Sequence, residues 1–363
     1  MRIELNKTPE QAELLRALGS KDPKVSSEAA SALAGYIGPI IQEVIQQAST
    51  TGLIYRDLNF NEDDNPSLPL DLYYDKDVGY IQTWSQQIAG GLPTSEVQGG
   101  KEMKISTFKI NSAVSFLKKY ARRARFDVLN SALGRMSQDV LIKQEINGWS
   151  VVLKALAEAA TKGQDHIISS TTAGRFQIDD LNRLMTLVKR INQSFADGTA
   201  VNVGARRLTD IVVSPEVIQD IRAFAYNPLN TTATPDTAES TALGLPDSIR
   251  TQIYNSAGIT SIYNVNVIEL SEFGVGQKFN TLFDGFYNGS SPTFNGSTQE
   301  IIVGLDMSRD SFVRAIATQE GNATFVVQPD DQFVAREDKT GFYGEQEVGY
   351  VCIDARAIFG IVK

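Results

Sequence analysis

Cysteine is almost absent from this 363-residue chain, with Cys352 its only example. A single thiol rules out an intrachain disulfide and a cysteine-built zinc site. Histidine is just as scarce. His166 lies close to Ser169 and Ser170, but nearness in sequence does not make a triad, because triad members meet in the fold. A surface or packing role is the simpler reading. Positive charge is in deficit as well: 34 Lys and Arg against 43 Asp and Glu leave a net charge of −9. Nucleic-acid affinity rests mainly on Lys and Arg neutralising phosphates, so the overall balance argues against a DNA-binding protein. Long apolar runs are missing too. Nothing approaches the length of a membrane-spanning helix, and no N-terminal stretch has the charged start and apolar core of a signal peptide. The expectation is a chain made and folded in cytoplasm, with Met1 retained and no leader or pro-segment removed. Sequons such as Asn230-Thr-Thr, Asn288-Gly-Ser and Asn295-Gly-Ser are then accidents of composition.

What the chain does have is length enough for two domains and an unusual order of elements. "TPEQAELLRAL" starts a helix, with Thr8 as cap, Pro9 at the first helical position and Gln11 completing a capping box. A second helix, roughly 27–48, carries Leu33, Ile37, Ile41, Val44 and Ala48 at helical spacing, and Pro39 should kink it. Both helices read as an arm. A long hairpin follows over 78–110. Val78, Tyr80, Gln82 and Trp84 form one arm, "MKISTFKI" returns as the other, and Gly90-Gly91 and Gly99-Gly100 bracket the tip. The hairpin has no evident core of its own, so it should project.

The returning strand is expected to continue through "SAVSFLKKYARRAR" into a helix over about 126–162. Leu129, Leu133, Met136 and Val140 make one apolar stripe of that helix. Ile142, Ile146, Trp149, Leu153, Leu156 and Ala160 make the next, and Gly163 stops it. A shorter helix presents Leu181, Leu184, Val188 and Ile191 on one face. "LTDIVVSPEVIQDIRAF" is a buried strand running into a helix capped by Ser214. Strands "GITSIYNVNVIEL", "EIIVGLDM", "SFVRAIAT", "ATFVVQ", "DQFVARED", "QEVGYVCID" and "AIFGIVK" complete the chain. It therefore ends in apolar residues rather than a polar tail.

Candidate chemistry is thin. "NEDDN" at 61–65 lacks the spacing and glycine of a calcium loop. "GVGQ" at 274–277 lacks the third glycine of a dinucleotide fingerprint and is read as not opening a helix. The densest charge feature is the basic run Lys118, Lys119, Arg122, Arg123 and Arg125. A nucleic-acid patch would need aromatic partners or further basic surface, so inter-subunit ion pairing or a solvated corner is the preferred reading. No carboxylate pair is singled out for hydrolytic work. An arm, a projecting hairpin and an over-long helix are parts that find their burial on another chain. They point to assembly rather than catalysis.

This order of elements resembles the major capsid protein of tailed bacteriophages, the Hong Kong 97 type fold. The likeness is carried by order and spacing over the whole chain. Its local signals are "SQDVLIKQEINGW" as the spine helix, "DIVVSPEVIQDI" as the start of the axial domain, and "GYVCIDARAIFGI" as the closing strands. The resemblance implies an α+β fold with a helical N-terminal arm at 1–50 and an extended hairpin loop at 78–110. It implies a peripheral domain at 51–77, 111–206 and 323–355, and an axial domain at 207–322 and 356–363. "EVGYVCID" would lie in the peripheral sheet and "AIFGIVK" in the axial core.

The implied function is structural, not enzymatic: a subunit assembled in host cytoplasm into the icosahedral head of a virion. No cofactor, metal or membrane is implied. Implied partners are further copies in hexamers and pentamers, a separate scaffolding protein, a portal, a decoration or cement protein, and packaged DNA held weakly and without sequence preference. Candidate inter-subunit contacts are Trp84, Ile88, Lys119, Arg122 and Arg123. Lys101 and Lys104 lie on the hairpin, but no Asn or acid can be matched to them for a cross-link. Two alternatives stand beside this reading, an encapsulin-like nanocompartment shell and a cytoplasmic carboxylate-dependent hydrolase.

Overall fold

Thr8 opens the first helix as its spacing predicts. In the computed structural model its Oγ1 accepts the Gln11 N–H at 3.4 Å, and α1 runs Pro9–Leu18 with Leu15 and Leu18 buried. The residues described are 8–69 except 63, 102–161, 166–195, 207–226, 261–289, 292–308, 310–318, 323–330 and 337–363. Contacts divide the chain into two units. One comprises Met1–Gly148 and Phe312–Val351, the other Trp149–Ser311 and Cys352–Lys363. Elements are numbered along the chain.

In the first unit α2 runs Pro23–Ala48, starting earlier than its apolar periodicity indicates. The reason is local: Asp22 accepts the Lys24 N–H at 3.1 Å and Pro23 occupies the first helical position. Its buried stripe is Leu33, Ile37, Ile41 and Ile45, so the stripe leaves the expected Val44 and Ala48 half-buried. These helices are the ones read as an arm, and both have packing partners within the unit. α1 packs on α4 (Lys118–Arg122), and α2 packs on β11 (Val326–Asp330).

The five-stranded sheet of this unit begins with β1 (Arg56–Asn61), parallel to β10 (Phe312–Thr318). Next comes β12 (Lys339–Cys352), which pairs antiparallel with both β11 and β4 (Phe108–Leu117). Gly344 of β12 is required by packing, since a Cβ there would run into Met136 Cε and Phe325 Cζ.

The expected hairpin falls mostly outside the described residues, and Trp84 and Ile88 with it. Its returning arm is not one strand. β3 (Glu102–Lys104) pairs with β2 (Ser67–Pro69), and the pattern breaks at Ile105, whose side chain is buried and whose N–H bonds Pro66 O at 2.9 Å. Phe108–Ile110 then belong to β4, paired with β12 rather than projecting. The strand also stops at Leu117. "KKYAR" is helical, and Ala124 at φ 48° turns the chain into α5 (Phe126–Thr161).

α5 matches its expected span and contributes Leu129, Leu133, Met136 and Val140 to the first unit's core. Ile142, assigned to the second stripe, is 54% exposed.

The second unit starts at Trp149, which is fully buried with its ring 5.2 Å from Phe273 and 5.6 Å from Phe279. Its six-stranded sheet has the order β5 (Ile167–Ser169), β13 (Ile358–Val362), β9 (Ile301–Leu305), β6 (Asp210–Val213), β8 (Val265–Glu269) and β7 (Ser261–Ile262). α6 (Ile178–Phe195) lays Leu181, Leu184, Val188 and Ile191 into a core shared with Ile211, Phe359 and Ile361. α7 (Pro215–Tyr226) is capped by Ser214 Oγ, which accepts the Val217 N–H at 3.2 Å.

An unexpected α8 (Lys278–Phe286) buries Phe279 and Phe283. The "GVGQ" segment therefore does lead into a helix, with Gly274 at φ 126° and Gly276 at φ 73° making the turn.

The expected boundary at 206/207 is not where contacts divide. α6 packs with the sheet containing β6 and β13, so 149–206 belongs to the second unit. β10 pairs with β1, so Phe312–Thr318 belongs to the first. The closing strand "AIFGIVK" does lie inside its sheet, between the edge strand β5 and β9.

Candidate assembly surfaces

A site has to be built from polar groups, and most buried ones here are already committed to holding the fold. His166 is 3% exposed, its Nδ1 lies 2.8 Å from Ile358 O, and its ring stacks on Phe359 at 5.4 Å. Burial is the main reason its pKa is lowered, only partly opposed by the Ile358 carbonyl and Asp354. It is a packing histidine.

Glu145, on α5, accepts Ser49 Oγ at 2.9 Å, Thr50 N–H at 2.8 Å and Thr51 N–H at 3.2 Å, besides the Thr50 hydroxyl. It thereby supplies the anionic cap of α3 (Thr51–Ile54). Arg314 donates Nε and Nη2 to Asp57 at 2.7 and 2.8 Å. Burial works against its charge, yet the bidentate pair outweighs it and the pKa is raised. Burial pushes the nearby Tyr350 phenol up to about 12, against the pull of Arg314.

In the second unit, Lys363 Nζ sits 2.7 Å from Glu300 Oε1 and 2.8 Å from Asp220 Oδ2. Ser214 Oγ donates to the other Glu300 oxygen at 2.6 Å. Burial tends to lower the Lys363 pKa, but the two carboxylates prevail and raise it. The Gly274–Gln277 turn holds the Glu216 carboxylate 3.1 Å from where a Gly274 Cβ would stand, an awkward neighbour for a phosphate. Among the described residues no group of three or more His, Cys, Asp or Glu is placed to hold a metal ion, and no helix is long and apolar enough to cross a membrane.

What faces outward is more informative. The basic run divides into inward and outward members. Lys118 is 5% exposed, with Nζ 3.4 Å from Ser26 Oγ, which itself donates to Leu18 O at 2.9 Å. Arg122 Nε donates to Gly19 O at 2.7 Å and Nη2 to Asp338 Oδ1 at 3.0 Å. These two cations close the α1–α2 corner.

Lys119, Arg123 and Arg125 are exposed and make no ion pair among the described residues. Lys119 lies 5.2 Å from the Tyr120 ring centroid. The acidic cluster at 61–65 has a partial use: Glu62 pairs with Lys109 at 2.9 Å. β1 pairs only with β10 among the described residues, and an open groove of about 440 Å³ beside it is lined by Leu58, Asn59, Phe60, Asn61 and the 64–67 loop. A sheet edge with no partner among the described residues is one that natural proteins normally cover or blunt, and Leu53 (67%) and Ile142 (54%) of the same unit are exposed.

No family model matches the chain, and no curated protein does. Solved structures do. The capsid of a native GTA particle matches with a TM-score of 0.50 and 12% identity, over 85% of this chain and 88% of that one. The mature capsid of bacteriophage PhiM1 matches with a TM-score of 0.50 and 10% identity, over 86% of each. A holo-SrpI encapsulin complex from Synechococcus elongatus gives 0.45 and 12%, over 87% and 88%. The likeness is one of fold. The chain has an α+β architecture with mixed sheets, consistent with the Hong Kong 97-like capsid type.

Proposed function

We propose that the chain is a shell-forming subunit, specifically a major capsid protein whose copies assemble, as hexamers and pentamers, into the icosahedral head around a double-stranded phage genome. The observation that carries this reading is fold likeness across about six-sevenths of the chain to subunits of two capsids. The basic corner and the β1 edge, which has no second strand among the described residues, support it, because a second copy would cover them. In this role the chain is a structural protein of the virion, not an enzyme. It works with a separate scaffolding protein and a portal, and it touches packaged DNA only weakly, as a net charge of −9 favours. Sedimentation velocity of the purified chain tests the reading. Species of many subunits that grow with concentration are expected, and a lone monomer at every concentration would overturn it.

A further inference from the structure

The first unit carries opposite charges at the two ends of one β-ribbon. In the β4–β12 pairing, Leu117 stands opposite Lys339 near one end and Lys109 opposite Glu347 near the other. Eight residues at about 3.4 Å each separate those ends by roughly 27 Å. At the Lys109 end, Glu62, Glu345 and Glu347 surround the single lysine and raise its pKa through hydrogen bonding and charge. Carboxylates outnumber Lys109 there: Glu62 is in an ion pair with it, and Glu347 accepts the Thr107 hydroxyl at 2.5 Å.

At the Leu117 end the surplus is positive. Nearby carboxylates are already engaged, Asp338 with Arg122 and Glu337 with Lys339, while Lys119, Arg123 and Arg125 stay exposed and outside any ion pair among the described residues. Asp127, in the first turn of α5, is the acidic exception.

The corner also breaks two local rules. Arg123 and Arg125 stand just before the N-terminus of a 36-residue helix, where the helix dipole disfavours cations, whereas Lys119 and Arg122 lie in the last turn of α4, where it favours them. Ala124, between Arg123 and Arg125, holds φ 48°, a left-handed conformation that alanine avoids. Local folding preference therefore does not account for Arg123 and Arg125, and such violations concentrate where function requires them.

We infer that subunits associate head to tail through these two ends, the acidic end of one ribbon meeting the Lys119, Arg123 and Arg125 corner of a second copy. The inference rests on the shell-forming reading. A heterologous contact of this kind uses different patches on the two partners and closes into rings when its rotation allows. Two patches of opposite sign on one chain are complementary without any third component, which favours a second copy over nucleic acid as the occupant. Because Glu62, Lys119, Arg123 and Arg125 are exposed and Glu347 is half-buried, the contact weakens with salt.

A charge swap in the full chain tests it. Arg123→Glu with Arg125→Glu, and separately Glu62→Lys with Glu347→Lys, should each raise the concentration for half-assembly by about tenfold or more at low salt. Mixing the two variant proteins should restore mixed assembly, because each then offers the patch that the other can meet. Gln at the same four positions gives milder variants if a reversal disturbs folding, and these should weaken the salt dependence. Melting curves check that folding is intact.

Wild-type chain that assembles while every variant assembles equally well would overturn the inference and leave the shell reading standing. Wild-type chain that never assembles would remove both. Tight, salt-sensitive binding of a duplex oligonucleotide that is lost only in the arginine variants, with assembly unchanged, would assign the corner to nucleic acid instead.

Discussion

β13 and β4 use the same kind of backbone for opposite ends. Every residue of β13 is buried, and the charge that follows it, Lys363, turns inward onto Glu300 and Asp220. β4 alternates between exposed and buried positions and leads into a corner whose cations face out. At β13 the second unit therefore holds its closing charge within the chain, whereas the corner beyond β4 leaves Lys119, Arg123 and Arg125 facing out. Burial stabilises the fold, and exposed complementary groups are free to direct association.

The contrast breaks most severely if β13 is removed. Deleting Ala357–Lys363 takes out Ile358, Phe359, Ile361 and Val362, each 3% exposed or less. At roughly 1.5–3 kcal/mol each the loss is on the order of 6–12 kcal/mol, comparable to a whole domain's stability. The deletion also removes the strand through which β5 joins the rest of its sheet. The truncated chain should be insoluble, and a cooperatively melting product ending at Arg356 would refute β13's role.

Lys363→Met comes next, because it strands two carboxylates of which Glu300 is 5% exposed. The expected loss is about 3–5 kcal/mol, read from denaturant unfolding. Gly344→Ala tests the first unit's interior and should cost about 1–3 kcal/mol by overpacking against Met136 and Phe325. Unchanged stability would mean that α5 and β12 are not tightly packed there.

The smallest effect is a pH slope. The His166 pKa is lowered in the folded chain, so the unfolded chain binds more protons as pH falls through about 6.5, and stability drops there. His166→Gln should flatten the melting-temperature profile between about pH 7 and 5. An unaltered profile would contradict burial of a neutral imidazole.

Much of this contrast was legible in the sequence where a periodic stripe met a cap. α5, α6, the Ser214 cap and the buried β13 follow from spacing alone. α8 was missed because its weak cap, Gln277, makes no side-chain bond, although Phe279 and Phe283 stand at helical spacing. The basic run was read as strand because its charges carry no apolar period. Its helical turn is fixed by contacts with α1 some hundred residues earlier. The parallel pairing of β1 with β10, and the gathering of Glu62, Glu345 and Glu347 around Lys109, join segments far apart in the chain. No local pattern encodes them, and the unit boundary inside α5 was lost for the same reason.

Electron microscopy of the purified, concentrated chain tests the central claim most directly. The account predicts closed shells of uniform diameter, with rings of five and six subunits resolvable in averaged images. Fields of single, dispersed chains under the same low-salt and crowded conditions would contradict it.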